Sequence, residues 1–443
     1  MERLNYFNPY QSKGAWHEDQ LTRAFLVVVR MVPLALSAFL DLIRDRQTTA
    51  KSERPLPSLS DLLVQDLAIH TQKEQVPQTT GRLISVVMTD EHWPPESPVQ
   101  QSDRGARYDG VLCFDPDWII VIENKPLHVN IWADQVNPSL PLEGHEIVID
   151  PRLVVLQWGD VVNRLTALLD VNWLGSTDRQ LVSDFLDFLD EQFEYLNPYD
   201  TFGRCKDSMV LLHKRCEKIL EAIAPGQVKW QGSWSTHYFE LKSARQRSEA
   251  PVKRCALYPK QSGEDVSIEL AMYPGDTMNQ ARSFYKYLSE YGATPFLNLK
   301  NQGWSVKTNF HFGFFQKGFG HGVKTTLSVE DYLRYWGASA RPIEQILPDE
   351  HGFESSLRSL VADGLIAESD VLSVSTKAVA LGAINLNVIP GVEVIYRWSL
   401  ADAAAIDKKK DGMVEEVRRK TNEAIATWGG VLVTWGGDAT FLT

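Results

Sequence analysis

Apolar positions recur along the chain with two periods, and the switches between them mark out the elements. AFLVVVRMVPLALSAFLDLI (24–43) is apolar but interrupted by Arg30, Pro33 and Asp41. That pattern suits a buried helix broken at Pro33 better than a membrane span. RDRQTTAKSERPLP (44–57) is a polar loop, and SDLLVQDLAIHTQ reads as a helix with Ser60 as N-cap. GRLISVVMTD reads as a strand running into the Pro-rich turn HWPPESP. RYDGVLCFDPDWIIVIENKP (107–126) is two short apolar runs about a Pro-centred turn, a hairpin pattern. PRLVVLQWGDVVNRLTALLD then gives a strand followed by a helix. The succession predicts a mixed α/β core over residues 1–176.

Two amphipathic stretches, DRQLVSDFLDFLDEQFEYL and DSMVLLHKRCEKILEAI, flank a turn at NPYDTFG and predict a helical connector over 177–225. Beyond it the texture turns aromatic and alternating (SWSTHYFELKSA, SIELAMY, WSVKTNFHFGFFQ), which predicts a β-rich domain over 226–340. Residues 341–443 return to α/β texture. Within them SLRSLVADGLIAES (356–369) has the rhythm of a winged-helix third helix and wing, a rhythm also common in other small α/β contexts. No internal repeat or low-complexity tract is present.

A chain of 443 residues is long enough for two or three domains, and 44% hydrophobic with 23% charged residues is ordinary for a soluble globular protein. The four cysteines form no CxxC pair and no zinc-ligand spacing, and no secretory leader is read before Trp16, so a reducing, cytoplasmic setting without membrane attachment is expected. The net charge of −12 is uneven. Residues 1–200 carry 30 acids against 16 Lys/Arg and the remainder 27 against 29, so a polyanion is expected on the second half.

Charges inside the apolar hairpin change the picture. With Pro116 at the centre of the turn, Phe114 meets Trp118 and, in the same register, Asp109 meets Glu123. Alternation puts Lys125 on the face of Glu123. Two close carboxylates in an apolar strand pair repel and lose hydration unless a cation lies between them, and oxygen-only ligands suit Mg²⁺ or Mn²⁺. A lysine beside such a cation orients water and stabilises phosphorane-like charge, an arrangement for phosphodiester hydrolysis. The plainer alternative is a cross-strand salt-bridge cluster on a solvated sheet face, although the runs VLCF and WIIVI, apolar on both faces, favour a central strand.

This set resembles the PD-(D/E)XK nuclease superfamily, whose core hairpin carries Asp on one strand and Glu-x-Lys on the next. Tyr108 stands where the family name has Pro. The resemblance covers about residues 10–170 and implies a restriction-endonuclease-like mixed sheet flanked by helices. It also implies a metal-ligating acid on the first helix, for which WHEDQLTRAF supplies Glu18, and a Gln near the site, matched by Gln135 in IWADQV. A helix-surface role explains Glu18 and Gln135 equally simply. A second Glu-x-Lys, at Glu240 and Lys242, serves as a control: its nearest upstream Asp is Asp207, with no hairpin between them. No HExxH or GxxxxGK[ST] pattern is present, which argues against a zinc hydrolase or an NTPase.

Residues 291–329 contain Lys300, Lys307, Lys317 and Lys324, no acid, and interleaved Trp304, Phe310, Phe312, Phe314, Phe315 and Phe319. They form either a stacking and phosphate-binding surface or, as the alternation of Phe favours, a β core edged by lysines. The expectation is a metal-dependent nuclease; the resemblance implies action on DNA rather than RNA and a role in restriction, repair or anti-phage defence, with a protein partner or homo-oligomer presenting substrate. A catalytically inactive nuclease-fold binding subunit and an RNA-cleaving effector are the alternatives.

Overall fold

A computed structural model describes Phe7 and residues 18–62, 66–90, 107–126, 146–232, 235–243, 252–314, 319–338, 345–348, 350, 352–427 and 432–434. The chain is α/β and divides into two compact units: Met1–Asp200 with Ser208–Leu211, and Thr201–Asp207 with Leu212–Thr443.

The first unit begins with α1 (Glu18–Met31) and α2 (Pro33–Thr49), which meet at a 113° bend. The break falls at Val32 because Pro33 opens the second helix, where a missing N–H costs nothing. Both helices bury one face, and Phe25 packs edge-on against Phe39 at 5.1 Å. No single helix among the described residues is long and apolar enough to cross a membrane.

A single helical turn, α3 (Leu59–Leu62), precedes six strands: β1 (Asp66–Lys73), β2 (Thr80–Thr89), β3 (Tyr108–Asp115), β4 (Trp118–Asn124), β5 (Glu146–Ile149) and β6 (Val154–Gln157). Helices α4 (Trp158–Asp170) and α5 (Ser176–Gln192) follow. The sheet order is β1-β3-β4-β2-β5, with β6 also on β2; β1, β3 and β4 pair antiparallel, while β2 runs parallel to β4, β5 and β6. The helix expected over 60–72 is thus overturned beyond Leu62. Pairing with β3 makes Asp66–Lys73 an edge strand, and its mostly exposed side chains carry little periodicity to announce it.

All seven residues of β4 and the first seven of β3 are buried, as their unbroken apolar runs predict for central strands. Gly110 on β3 is where α1 comes close. A Cβ there would lie 2.9 Å from Leu26 Cδ1 and 3.3 Å from Ile122 Cβ, so only glycine leaves room for the helix to lie on the sheet.

The second unit comprises α6 (Phe202–Cys205), most of α7 (Met209–Ile223), nine strands and seven further helices among the described residues. The strands are β7 (Lys229–Gln231), β8 (Thr236–Ser243), β9 (Arg254–Ser262), β10 (Asp265–Met272), β11 (Ser305–Phe314), β12 (Phe319–Val323), β13 (Gln345–Ile346), β14 (Leu386–Ser399) and β15 (Leu432–Thr434). The helices are α8 (Met278–Tyr291), α9 (Thr294–Asn301), α10 (Val329–Ala338), α11 (Glu354–Ala362), α12 (Glu368–Ala380), α13 (Leu400–Asp407) and α14 (Gly412–Thr427).

One sheet in the order β12-β11-β14-β10-β9-β8-β15 joins what the sequence separates into 226–340 and 341–443. β14 inserts between β10 and β11, so these two segments share a core and are not separate domains. The expected connector also splits, its first helix belonging to the first unit and most of its second to the other. No wing follows α11: Gly364, at φ 73°, turns the chain directly into α12. Asp407 is buried and accepts from Arg215 Nη2 at 2.6 Å, Arg215 Nε at 2.9 Å and the Phe202 N–H at 2.8 Å, tying α6, α7 and α13 together.

Gly110→Val will lower unfolding free energy by about 1–3 kcal/mol through overpacking against Leu26. In a urea-melt double-mutant cycle, Leu26→Ala will recover part of that loss; strictly additive effects would mean that the two side chains do not collide.

Candidate carboxylate site

The hairpin register runs from Phe114↔Trp118 to Gly110↔Ile122, as the turn at Pro116 predicts. Carried one residue further, it sets Asp109 against Glu123. Both are buried, at 8% and 2% exposure. By alternation they share the sheet face of Val111, Cys113, Ile119 and Val121, which form one apolar cluster. Lys125 Nζ lies 3.0 Å from Glu123 Oε1, so the lysine is on the predicted side.

Asp109 is held from two further directions. Its Oδ2 accepts the Asn124 N–H at 2.8 Å and its Oδ1 accepts Gln72 Nε2 at 3.2 Å. Gln72 lies on β1 between the pairs Thr71↔Gly110 and Lys73↔Tyr108, which puts it opposite Asp109. Its φ of 54° is left-handed, a conformation that costs a non-glycine residue about 1 kcal/mol or more. The same Nε2 donates to Asp19 Oδ1 at 2.8 Å, so Gln72 links the carboxylate of β3 to an acid on α1.

Between Glu123 and Lys125, Asn124 points to the other face. Its Oδ1 accepts Trp158 Nε1 at 2.9 Å, and Trp158 opens α4 and packs edge-on against Phe25 at 5.5 Å. The strand end that carries the charges is thereby fixed to two helices.

The side chain of Glu18 lies outside the described residues, as do Gln135 and Lys317. The helix-borne acid that the structure connects to Asp109 is Asp19. The run EDQ in the first turn holds both acids, and of these the described side chain is Asp19, which Gln72 contacts. Gln72 had no signal in the sequence, since its role depends on a positive φ and on an edge strand that reads as helix. That Asn124 points to the other face was open to inference by alternation from Glu123, whereas its partner Trp158, 34 residues on, was not.

The second Glu-x-Lys behaves differently. Glu240 is partly exposed, pairs with Lys229 at 3.0 Å and stands opposite Arg254 across β8 and β9. Lys300, Lys307 and Lys324 are exposed, with Lys307 opposite Glu393 on β14. Trp304, Phe310 and Phe312 are buried, and Phe310 packs on Trp336 at 5.8 Å. These three aromatics belong to the core and offer no stacking surface, in line with the alternation of Phe.

Chemically, the site offers two hard carboxylates and one ammonium. Cys113 is not a soft ligand in waiting: burial first, then Asp115, push its thiol up to about 11. Among the described residues no group of three or more His, Cys, Asp or Glu is gathered to hold a metal. Two carboxylate donors are the kind of set from which Mg²⁺ or Mn²⁺, keeping several waters, would be bound. Comparison with protein families, curated proteins and solved structures finds no match to this chain.

Removing the Gln72 amide will cost about 1–2 kcal/mol of stability in Gln72→Ala. Gln72→Gly will lose about 1 kcal/mol less, because glycine relieves the left-handed backbone. Equal denaturation midpoints for the two variants would show that the backbone there is unstrained.

Proposed function

We propose that the protein is a metal-dependent nuclease that hydrolyses phosphodiester bonds, with DNA as the preferred substrate over RNA. The observation that carries this reading is the buried set of Asp109 and Glu123, in register across β3 and β4, with Lys125 Nζ 3.0 Å from Glu123. Its burial argues against the solvated salt-bridge alternative, which Glu240 and Lys229 exemplify at the surface.

Asp109 and Glu123 would hold Mg²⁺ or Mn²⁺, with Glu18 or Asp19 completing the shell from α1. When bound, the cation neutralises the carboxylates and lowers the pKa of its water. Lys125 donates hydrogen bonds to the attacking water or to a phosphate oxygen and stabilises negative charge as it builds. Gln72 and the Asn124 N–H keep the Asp109 carboxylate in one orientation, so little reorganisation accompanies the reaction.

Preference for DNA rests on the resemblance of the hairpin to the PD-(D/E)XK nucleases, and a role in restriction, repair or anti-phage defence follows from the same source. The acidic balance of residues 1–200 disfavours indiscriminate binding of polyanions. A partner or a second copy of the chain would then present substrate.

Incubation with linear DNA, circular DNA and RNA in Mg²⁺, Mn²⁺ or EDTA tests the reading. Wild type will cleave DNA only with metal, and Lys125→Ala will be slower by about 100-fold or more. Equal inertness of both proteins in every metal would contradict it and favour an inactive binding subunit. Cleavage of RNA alone would keep the chemistry and change the substrate.

A further inference from the structure

The second unit holds a cavity of about 210 Å³ walled by Glu240, Lys253, Arg254, Tyr273, Asp276 and Gln280, with Thr277 at its edge. At roughly 30 Å³ per water it has room for about seven waters, more than a bare phosphate needs. The carboxylate site of the first unit uses none of these residues.

The wall is built rather than incidental. The turn after β10 crosses β14 so closely that a Cβ on Gly275, at φ 79°, would lie 2.9 Å from Gly391 Cα. The Val392 N–H donates to Pro274 O at 2.9 Å, and Tyr332 OH donates to Gly391 O at 3.1 Å. From that fixed turn the chain passes through Asp276 to Thr277, the N-cap of α8.

The lining is amphoteric, with Lys253, Arg254 and the Gln280 amide facing the carboxylates Glu240 and Asp276. Gln280 is 4% exposed, and its Oε1 accepts the Thr277 N–H in a capping box. The box occupies the amide oxygen, so the group left for the cavity is the Nε2 donor. Lys253 and Arg254 add two cations, with the Arg254 guanidinium lying over the Tyr238 ring at 4.9 Å. Glu240 is answered by Lys229 at 3.0 Å. Asp276 is the remaining acid: burial raises its pKa, while His311 and Arg254 pull it back, and Asn309 Nδ2 lies 3.5 Å from its Oδ1.

We propose that this cavity binds a small organic oxyanion, a phosphate ester or carboxylate that also carries a hydroxyl or ammonium group. The oxyanion meets Arg254, Lys253 and Gln280 Nε2, and the hydroxyl or ammonium donates to Asp276. This proposal is independent of the nuclease reading.

Gln280→Glu separates the fold from the ligand. Its carboxylate still accepts the Thr277 N–H, and an acid suits the first turn of a helix, but the donor facing the cavity becomes an acceptor. Calorimetric titration of the full chain with ribose 5-phosphate, L-glutamate and inorganic phosphate provides the test.

At least one organic probe will bind with a Kd of about 1 mM or tighter. Gln280→Glu and Lys253→Ala will each weaken that binding about tenfold, with the unliganded Tm of Gln280→Glu unchanged. Lys300→Ala, an exposed lysine outside the cavity, will have no effect. Binding of ribose 5-phosphate alone assigns a phosphate ester, and binding of L-glutamate alone a carboxylate. The proposal fails if no organic probe gives a saturable signal, or if Gln280→Glu binds as well as wild type.

Discussion

The first unit is organised around the electrostatic cost of burying Asp109 and Glu123 on adjacent strands. Cβ atoms of directly opposite residues lie about 5 Å apart, so two ionised carboxylates there repel, and each also loses hydration. Lys125, at 3.0 Å from Glu123, offsets part of that cost. Hydrogen bonds from Gln72 and the Asn124 backbone fix the orientation of Asp109. A packed hairpin gains nothing structural from such a set that Val or Thr would not supply more cheaply. A divalent cation held between the two carboxylates is the proposed reason for its charges.

The surrounding architecture keeps those groups from relaxing apart. Gly110 lets α1 lie against β3 next to Asp109, and Asn124 is tied to Trp158 at the start of α4. Parallel pairing of β2 with β4 extends through Asn124↔Met88, and the Lys125 N–H continues it to Met88 O at 2.8 Å. The strand end bearing Glu123 and Lys125 is therefore held on both edges. The left-handed backbone at Gln72 is the local strain associated with the site, of the type found where a fold over-determines one residue.

Much of this site was legible because its information is local. A turn at Pro116 and a period of two are enough to bring Asp109, Glu123 and Lys125 to one face, and the bend at Pro33 follows from proline chemistry alone. What stayed hidden depends on partners distant in sequence. β1 is a strand because β3 pairs with it, Gln72 matters because that pairing places it opposite Asp109, and Asp19 is linked to Asp109 through Gln72. In the second unit β14 lies between β10 and β11, both far earlier in the chain, so the apparent boundary near residue 340 follows texture and not topology. Its buried Phe310 and Phe312 show the complementary rule, since strict alternation correctly signalled a core face.

The central claim is that Asp109 and Glu123 together hold a divalent cation. Calorimetric titration of Mn²⁺ into wild type and Asp109→Asn tests it most directly, since the substitution keeps size and shape while removing one charge. Saturable binding by wild type, weakened about tenfold or more in Asp109→Asn, is the predicted result. Absence of Mn²⁺ binding by wild type, or equal affinity in the two proteins, would contradict the account.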